Sequence, residues 1–220
     1  MNGDALLNPF PGPQPFRAAD QDRFFGREDT ARKLLNRILA HPCVMLFGPS
    51  GSGKSSLMQA SVIPLLQEQH GFRAVRVDGW LVGEAPLERL ARAMFVDLEL
   101  GKPPEELGPR EWIGEAIRLA ERRSERPILI YLDQLEQLLL PNRPPEQLRE
   151  LFDGLEALAR APVRGLQMVL ALREDYLGRF QDRARGHRAL HDPGFRLGPL
   201  TVKEMAQVAC RMAATGVPPQ

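Results

Sequence analysis

The chain has 220 residues, 43% of them hydrophobic and 26% charged. That is enough to bury one full core with an arm to spare, and it excludes both a disulfide-stapled miniature and a disordered tail. The 29 basic residues nearly cancel the 28 acidic ones, leaving a net charge of +1. This excludes a protein held to nucleic acid by its overall field, though not a local basic patch.

Only four of the basic residues are lysines, so a lysine inside a sharp motif stands out. The two cysteines, Cys43 and Cys210, lie far apart among apolar neighbours and match no zinc or redox spacing. Both are expected as buried free thiols in a reducing cytoplasm. The apolar runs, such as 128–132, fall far short of the roughly 20 residues of a membrane span. The first residues lack the basic-then-apolar pattern of a secretory signal.

Residues 8–16 read NPFPGPQPF. Four prolines in nine residues exclude a helix and a central strand, so residues 1–20 are expected as an extended Pro-rich arm, lying on its own core or on a neighbour. Residues 17–40 carry helical spacing, with Leu34, Leu35, Ile38 and Leu39 on one face. The run CVMLF (43–47) has the continuous apolar character of a strand buried on both sides. A helix is expected over 54–69, interrupted near Pro64, then a strand over 72–77. Amphipathic helices follow over 86–100 and 109–123, with Pro103 and Pro104 between them. ILIYL (128–132) is a second doubly buried strand, ending at Asp133. A loop over 141–145, a helix over 146–160 and a strand over 166–172 ending at Arg173 come next. Residues 176–192 are basic and helical at first, and 195–200 form a short last strand. Thr201 and Glu204 then have the spacing of a capping box opening a helix that ends near Gly216. Strands alternating with helices predict a parallel sheet covered on both faces.

Residues 48–55, GPSGSGKS, fit G-x-x-x-x-G-K-[ST] between a predicted strand and a predicted helix. Gly48, Gly51 and Gly53 permit backbone angles and approaches that a Cβ forbids. In the loop Pro49–Ser56, the successive N–H groups from Ser50 onward can then cradle phosphate oxygens at a helix N-terminus, where the helix dipole favours anions. Lys54 is expected to reach the β- and γ-phosphates of a nucleotide, and the Ser55 hydroxyl to bind Mg²⁺. Asp133 ends a predicted strand, and ligands collect beyond the carboxyl ends of parallel strands, so it is the candidate second group for Mg²⁺. Gln134 can orient water without acting as a base. Glu136 is the nearest carboxylate, either the base or an ordinary helix glutamate. Arg173 either reports the γ-phosphate, if its strand lies between the two motif strands, or pairs with Glu174 or Asp175.

Weaker signals are His187 and His191 beside Asp192, which could ligate a metal, and the run Arg179, Arg183, Arg185, Arg188. With Asp182 interspersed, that run reads as a solvated helix face before it reads as an arginine finger or a nucleic-acid patch.

Together these segments resemble the STAND class of P-loop ATPases, most closely its bacterial "novel STAND" branch. The strings that carry the resemblance are NPFPGPQPFRAADQDRFFGRE (8–28), GPSGSGKSS (48–56), ILIYLDQLEQL (128–138), LREDYLG (172–178) and LGPLTVKEM (197–205). The resemblance implies that Phe25, Gly26 and Arg27, with Glu28, line an adenine pocket, and adenine is further implied by the missing guanine-selecting N-K-x-D pattern of G proteins. It implies ATP or ADP with Mg²⁺ as ligands, and self-association or an effector or sensor protein as partner, with neither nucleic acid nor membrane. The family's D-Q-F-E-E-L block has Leu135 and Gln137 here, and the second change removes an acid, which implies slow hydrolysis. The family continues into a helical lid, a winged-helix element and sensor repeats. This chain ends at Gln220, about where the lid begins, and is expected as an excised part or a minimal core.

The fold expectation is thus a three-layer α/β P-loop NTPase core of the ASCE/AAA-like kind over residues 21–220. The function expectation is the nucleotide switch of a signalling or defence ATPase. A small-molecule phosphotransferase and a non-hydrolysing, nucleotide-locked scaffold are the alternatives.

Overall fold

A computed structural model describes residues 14–141, 143–160, 163–191 and 193–215. The expectations for residues 1–13, for Asp192 and for the helix end near Gly216 lie outside the described residues. Five strands form one sheet: β1 (Cys43–Gly48), β2 (Arg73–Val77), β3 (Ile128–Leu132), β4 (Leu166–Arg173) and β5 (Gly194–Arg196). Their order is β2-β3-β4-β1-β5, and every pairing is parallel.

Both faces are covered at the centre of the sheet, which is why β1 and β3 are continuously apolar, while the edge strands β2 (RAVRV) and β5 (GFR) carry arginines. On one face Val44, Leu46, Leu129, Tyr131, Val169 and Ala171 pack against α1 (Glu28–Ala40) and against the helix that follows the glycine loop. On the other, Met45, Val75, Ile130, Leu132, Met168 and Leu170 pack against α4 (Pro86–Asp97), α5 (Pro109–Arg123) and α6 (Pro145–Arg160). The three-layer α/β architecture is the one expected. Among the described residues, no helix is long and apolar enough to cross a membrane.

Several local expectations need correction. The segment 17–40 is not one helix. A 3-10 turn (Ala18–Arg23) and α1 are separated at Phe24–Arg27, where Gly26 has φ +81° and breaks the helical path. On α1, Ala31 joins Leu34, Leu35 and Ile38 in the core, while Leu39 is partly exposed. The interruption expected near Pro64 takes the form of a widened turn just before it, not a break in the chain's helical path. α2 (Lys54–Leu57) runs through a π-helical stretch (Met58–Val62) into α3 (Ile63–His70), and the Ile63 N–H bonds the Met58 carbonyl five residues back. The wider turn relieves the clash that a proline ring makes with the carbonyl four residues before it. β5 is only three residues long, and its last bond to β1 is the Leu197 N–H to the Phe47 carbonyl (2.7 Å), so the strand expected over 195–200 stops short of Gly198. Cys43 is buried, as expected, but Cys210 is exposed, because α8 (Val202–Thr215) stands off the core with almost all its described side chains in solvent. The capping box that opens α8 is formed: Thr201 N–H donates to Glu204 Oε2 (2.7 Å) and Glu204 N–H to Thr201 Oγ1 (3.2 Å).

Candidate functional site

The glycine loop connects the carboxyl end of β1 to α2. Gly51 and Gly53 hold φ of +74° and +88°, the left-handed region that an L side chain disfavours. Gly48 is required for another reason: a Cβ there would sit 2.2 Å from the Leu197 carbonyl oxygen. The loop is thereby locked against the segment after β5. Lys54 folds back over it, donating to the carbonyls of Gly48 (2.9 Å) and Pro49 (3.0 Å). Burial lowers the pKa of its ammonium, and the nearby Glu136 and Asp133 carboxylates oppose that shift.

Strand order decides the rest. With β4 lying between β1 and β3, the tips of all three converge. Asp133 ends β3 at 2% exposure, and its Oδ1 accepts the Gln134 N–H (2.9 Å). Gln134 is in the left-handed conformation at φ +54°, which a non-glycine residue adopts at a cost. Its neighbours hold it there. The Gln137 amide donates to the Gln134 side-chain oxygen, and Gln137 Oε1 accepts the Trp80 N–H (3.0 Å). The Trp80 indole N–H donates to the Asp133 carbonyl (2.7 Å). Arg143, 9% exposed, fastens this loop in turn by donating to the Trp80 and Leu81 carbonyls (both 2.7 Å). The position where the family's acid is missing is therefore filled by an amide that uses both its donor and its acceptor.

Glu136 is not an ordinary exposed helix glutamate. It lies on a 3-10 turn (Leu135–Leu139), and its Oε2 accepts the Arg173 backbone N–H (3.2 Å), across from β3 to β4. The Arg173 guanidinium faces the same cavity but is paired in bidentate fashion with Asp175 (3.0 and 2.7 Å), which raises its pKa, and it rests over the Tyr176 ring. Glu174, the other candidate partner, instead pairs with Arg196 (2.9 Å).

These groups open on a cavity of about 770 Å³, within the range of pockets that take small ligands. Its polar wall is Ser50–Ser56, Asp133, Gln134, Glu136 and Arg173. Its apolar wall comes from both ends of the chain: Pro15, Phe16, Phe24 and Phe25 from one, and Pro199, Leu200, Met205 and Val208 from the other. Phe16 stacks near Phe24 at 5.7 Å, and its N–H donates to Ser56 Oγ (3.2 Å), so the described end of the arm lies on its own core. Arg27 lines the cavity as a strut. Its guanidinium donates to the Gly198 carbonyl (2.7 Å) and to Ser52 of the glycine loop (3.3 Å), and burial lowers its pKa. Gly26, Gly48 and Pro49 do not line the cavity. A Cβ on Gly26 would meet Val208 Cγ2 at 2.5 Å, so this glycine lets α8 approach.

The histidine and arginine signals fall elsewhere, on and just after the short helix α7 (Leu177–Arg183). His187 pairs with Asp153 (2.7 Å), and His191 contacts the Ala184 carbonyl (3.1 Å). Among the described residues, no group of three or more His, Cys, Asp or Glu gathers to hold a metal. The site does fit Mg²⁺ bound together with a nucleotide. Magnesium takes hard oxygens, uses one or two protein ligands, and leaves the rest to phosphate and water. Asp133 and Ser55 supply such oxygens, and next to them lies the buried Tyr131 hydroxyl, which interacts with both but makes no hydrogen bond of full geometry. Burial, and after it the Asp133 carboxylate, push the Tyr131 phenol well above its ordinary pKa.

Sequence reasoning missed Trp80, Arg143 and Tyr131, along with the α8 side chains Met205 and Val208. Trp80 carried a faint signal, being one of two tryptophans and placed just past the carboxyl end of a strand. The others carried none.

No curated protein matches the chain in sequence. Solved structures match it in fold. A Walker-type ATPase of Pyrococcus abyssi superposes with a TM-score of 0.65 at 16% identity, over 94% of this chain and 63% of that one. The ORC2 protein of Aeropyrum pernix, solved as ADPNP–ADP complexes, gives 0.64 at 16% identity, over 86% and 51%. The ORC1 protein of the same organism, solved with DNA, gives 0.59 at 17% identity, over 86% and 49%. The chain thus spans about half to two thirds of the length of these proteins, and the likeness is one of fold. The sequence model of the novel STAND NTPase 1 family matches residues 9–217, and with the glycine loop, the β3 carboxylate and the ASCE strand order in place, the chain belongs to that family of P-loop, nucleotide-binding ATPases.

Proposed function

We propose that this chain is an ATP-binding switch that hydrolyses its nucleotide slowly. The observation that carries the reading is that the two cations on the phosphate-facing wall of the cavity are held on internal partners: Lys54 on the carbonyls of its own loop, and Arg173 on Asp175. Triphosphate offers Lys54 a charged acceptor in place of two neutral carbonyls, and offers Arg173 a second, more highly charged anion in competition with Asp175. Lys54 would turn from Gly48 and Pro49 to the β- and γ-phosphates. Arg173 would leave Asp175 for the γ-phosphate and return once it is gone. Adenine would lie between the apolar segments of Phe24–Arg27 and Pro199–Val208, so both ends of the cavity would register the nucleotide.

Ser55 and Asp133 would hold Mg²⁺, which neutralises charge developing on the phosphate oxygens. For hydrolysis, Gln134 orients the attacking water and Glu136 accepts its proton as the bond to ADP breaks. Glu136 is already spent in part on the Arg173 N–H, and no second acid stands at 137, which supports a slow rate. The output belongs to the same proposal: self-association or contact with an effector in a signalling or defence protein of the cytoplasm. The arrangement needs no nucleic acid, although ORC1 of Aeropyrum pernix was solved with DNA.

The test is thermal unfolding with Mg²⁺ and ATP, ADP or GTP, beside Lys54→Ala. At 100 times Kd, binding adds about 2.7 kcal/mol, a rise of roughly 5–10 °C for a domain of this size. Adenine nucleotides should give that rise in the parent and none in Lys54→Ala, whose ligand-free unfolding should be unimpaired. No rise with any nucleotide overturns the reading. The fastening of Gln134 and Gln137 to each other and to Trp80 favours the nucleotide-locked alternative, for which bound ADP would persist for hours against added ATP.

A further inference from the structure

Tyr131 precedes Asp133 by two residues, so strand alternation puts both side chains on one face of β3. That face is packed by the helix of the glycine loop, whose Leu57 and Met58 share the buried cluster of Tyr131. The other strand residues of the cluster, Val44, Leu46, Leu129, Val169 and Ala171, are aliphatic or small, apart from Phe195 at the edge. Tyr131 is completely buried, and its hydroxyl lies close enough to Asp133 and Ser55 to interact with both, yet makes a hydrogen bond of full geometry with neither. Phenylalanine would fill the same space without the penalty of an unpaired hydroxyl. A buried polar atom kept at that cost points to a bond made in another state of the site. The groups beside it are Asp133 and Ser55. One oxygen of the Asp133 carboxylate is taken by the Gln134 N–H.

We propose that Tyr131 is a positioning residue of the cation shell: with metal and nucleotide bound, its hydroxyl donates to the Asp133 carboxylate and holds it turned toward Ser55. The inference rests on the reading of this cavity as a Mg²⁺–nucleotide site. Its physical basis is that a carboxylate serving a hydrated cation acts through its orientation, and partners that fix such a ligand commonly govern metal affinity by 10- to 100-fold.

The experiment uses the whole chain with Tyr131→Phe. ADP affinity is measured in EDTA and across a Mg²⁺ titration, and unfolding is followed without ligand. The expected result has three parts: ADP affinity in EDTA unchanged, the Mg²⁺ concentration for half-maximal effect raised about tenfold or more, and the ligand-free unfolding temperature equal or higher. Parent protein whose ADP binding ignores Mg²⁺ overturns the metal reading and this inference together. Mg²⁺ dependence present in the parent and unchanged in Tyr131→Phe overturns the inference alone, as does an equal loss in EDTA and in Mg²⁺. A second measurement needs no variant at position 131. The chain has two tyrosines, so in fluorotyrosine-labelled protein Tyr176→Phe assigns the two ¹⁹F resonances. The Tyr131 resonance should move with Mg²⁺–ADP and not with ADP in EDTA, and a resonance that stays put under both conditions overturns the proposal.

Discussion

Replacing Trp80 by Phe tests whether the loop after β2 holds the turn that carries Asp133, Gln134 and Glu136. Trp80 is 5% exposed, and its indole N–H makes a 2.7 Å bond to the Asp133 carbonyl. Phenylalanine removes the donor and leaves a buried carbonyl unpaired, which costs about 1–3 kcal/mol. The smaller ring adds a void between β2 and the 3-10 turn, for a total of about 3 kcal/mol. For a domain of this length that is a fall of roughly 6–12 °C in Tm. The second consequence is local. Asp133 and the left-handed Gln134 lose one of their fastenings, so ATP turnover should fall further than nucleotide affinity in EDTA, which depends on the glycine loop. Trp112→Phe supplies the control. Trp112 is 9% exposed, and its indole N–H makes an equivalent 2.7 Å bond, to Pro104, away from the cavity. Unfolding scans and steady-state phosphate release on both variants decide the matter. If Trp80→Phe costs less than about 0.5 kcal/mol, within the range of an ordinary surface substitution, or if Trp112→Phe lowers turnover equally, the loop is packing and nothing more.

Two further predictions concern single groups. Glu136→Gln keeps an oxygen that can accept the Arg173 N–H, so ADP and ATP affinity should be retained while turnover is lost; unchanged phosphate release would move the base to another residue. The Cys43 thiol is pushed up to about 12 by burial, with Glu156 adding to the effect. Because the folded pKa lies above the unfolded value of about 9, Cys43 contributes stability that is intact below pH 9 and lost as pH climbs through the window from 9 to 12. Near pH 8, a thiol reagent should therefore modify exposed Cys210 at once and Cys43 only after unfolding, as counted by mass spectrometry. Rapid double modification of folded protein would contradict the burial of Cys43.

The chain shows which parts of such a site a sequence displays. The layers were legible because a strand buried on both faces must be continuously apolar, as CVMLF and ILIYL are. The phosphate loop was legible because its chemistry is carried by neighbours in sequence. Arg173 was nameable as a strand-end residue, and Glu136 as the carboxylate nearest Asp133. Whether they meet depended on β4 lying between β1 and β3, which no local pattern encodes. Arg143 was illegible for the same reason, since its partners at Trp80 and Leu81 are some sixty residues away. The helix over 17–40 went wrong at Gly26, where a positive φ serves an approach by α8 that local propensity does not contain. Cys210 went wrong because apolar neighbours predict burial only when the helix carrying them is packed, and α8 is not.

That unpacked helix bears on how the switch would be read. The sheet supplies the phosphate-facing wall and is fixed by two buried clusters. The opposite wall is made by segments with few buried contacts: Gln14–Phe16, Phe24–Arg27 and the chain from Pro199 into α8. Parts of a protein with little buried apolar area open at low free energy, so the nucleotide would lie between a rigid wall and a pliable one. Arg27 spans the two, with one bond to Ser52 of the glycine loop and a shorter one to Gly198 beyond β5. Gly48, pressed against the Leu197 carbonyl, ties the same two segments by contact. A change in the loop on binding phosphate would therefore reach residues 197–200 first and then α8, whose described side chains are almost all exposed and which is tied back through Arg211 to Glu28 and the Phe25 ring.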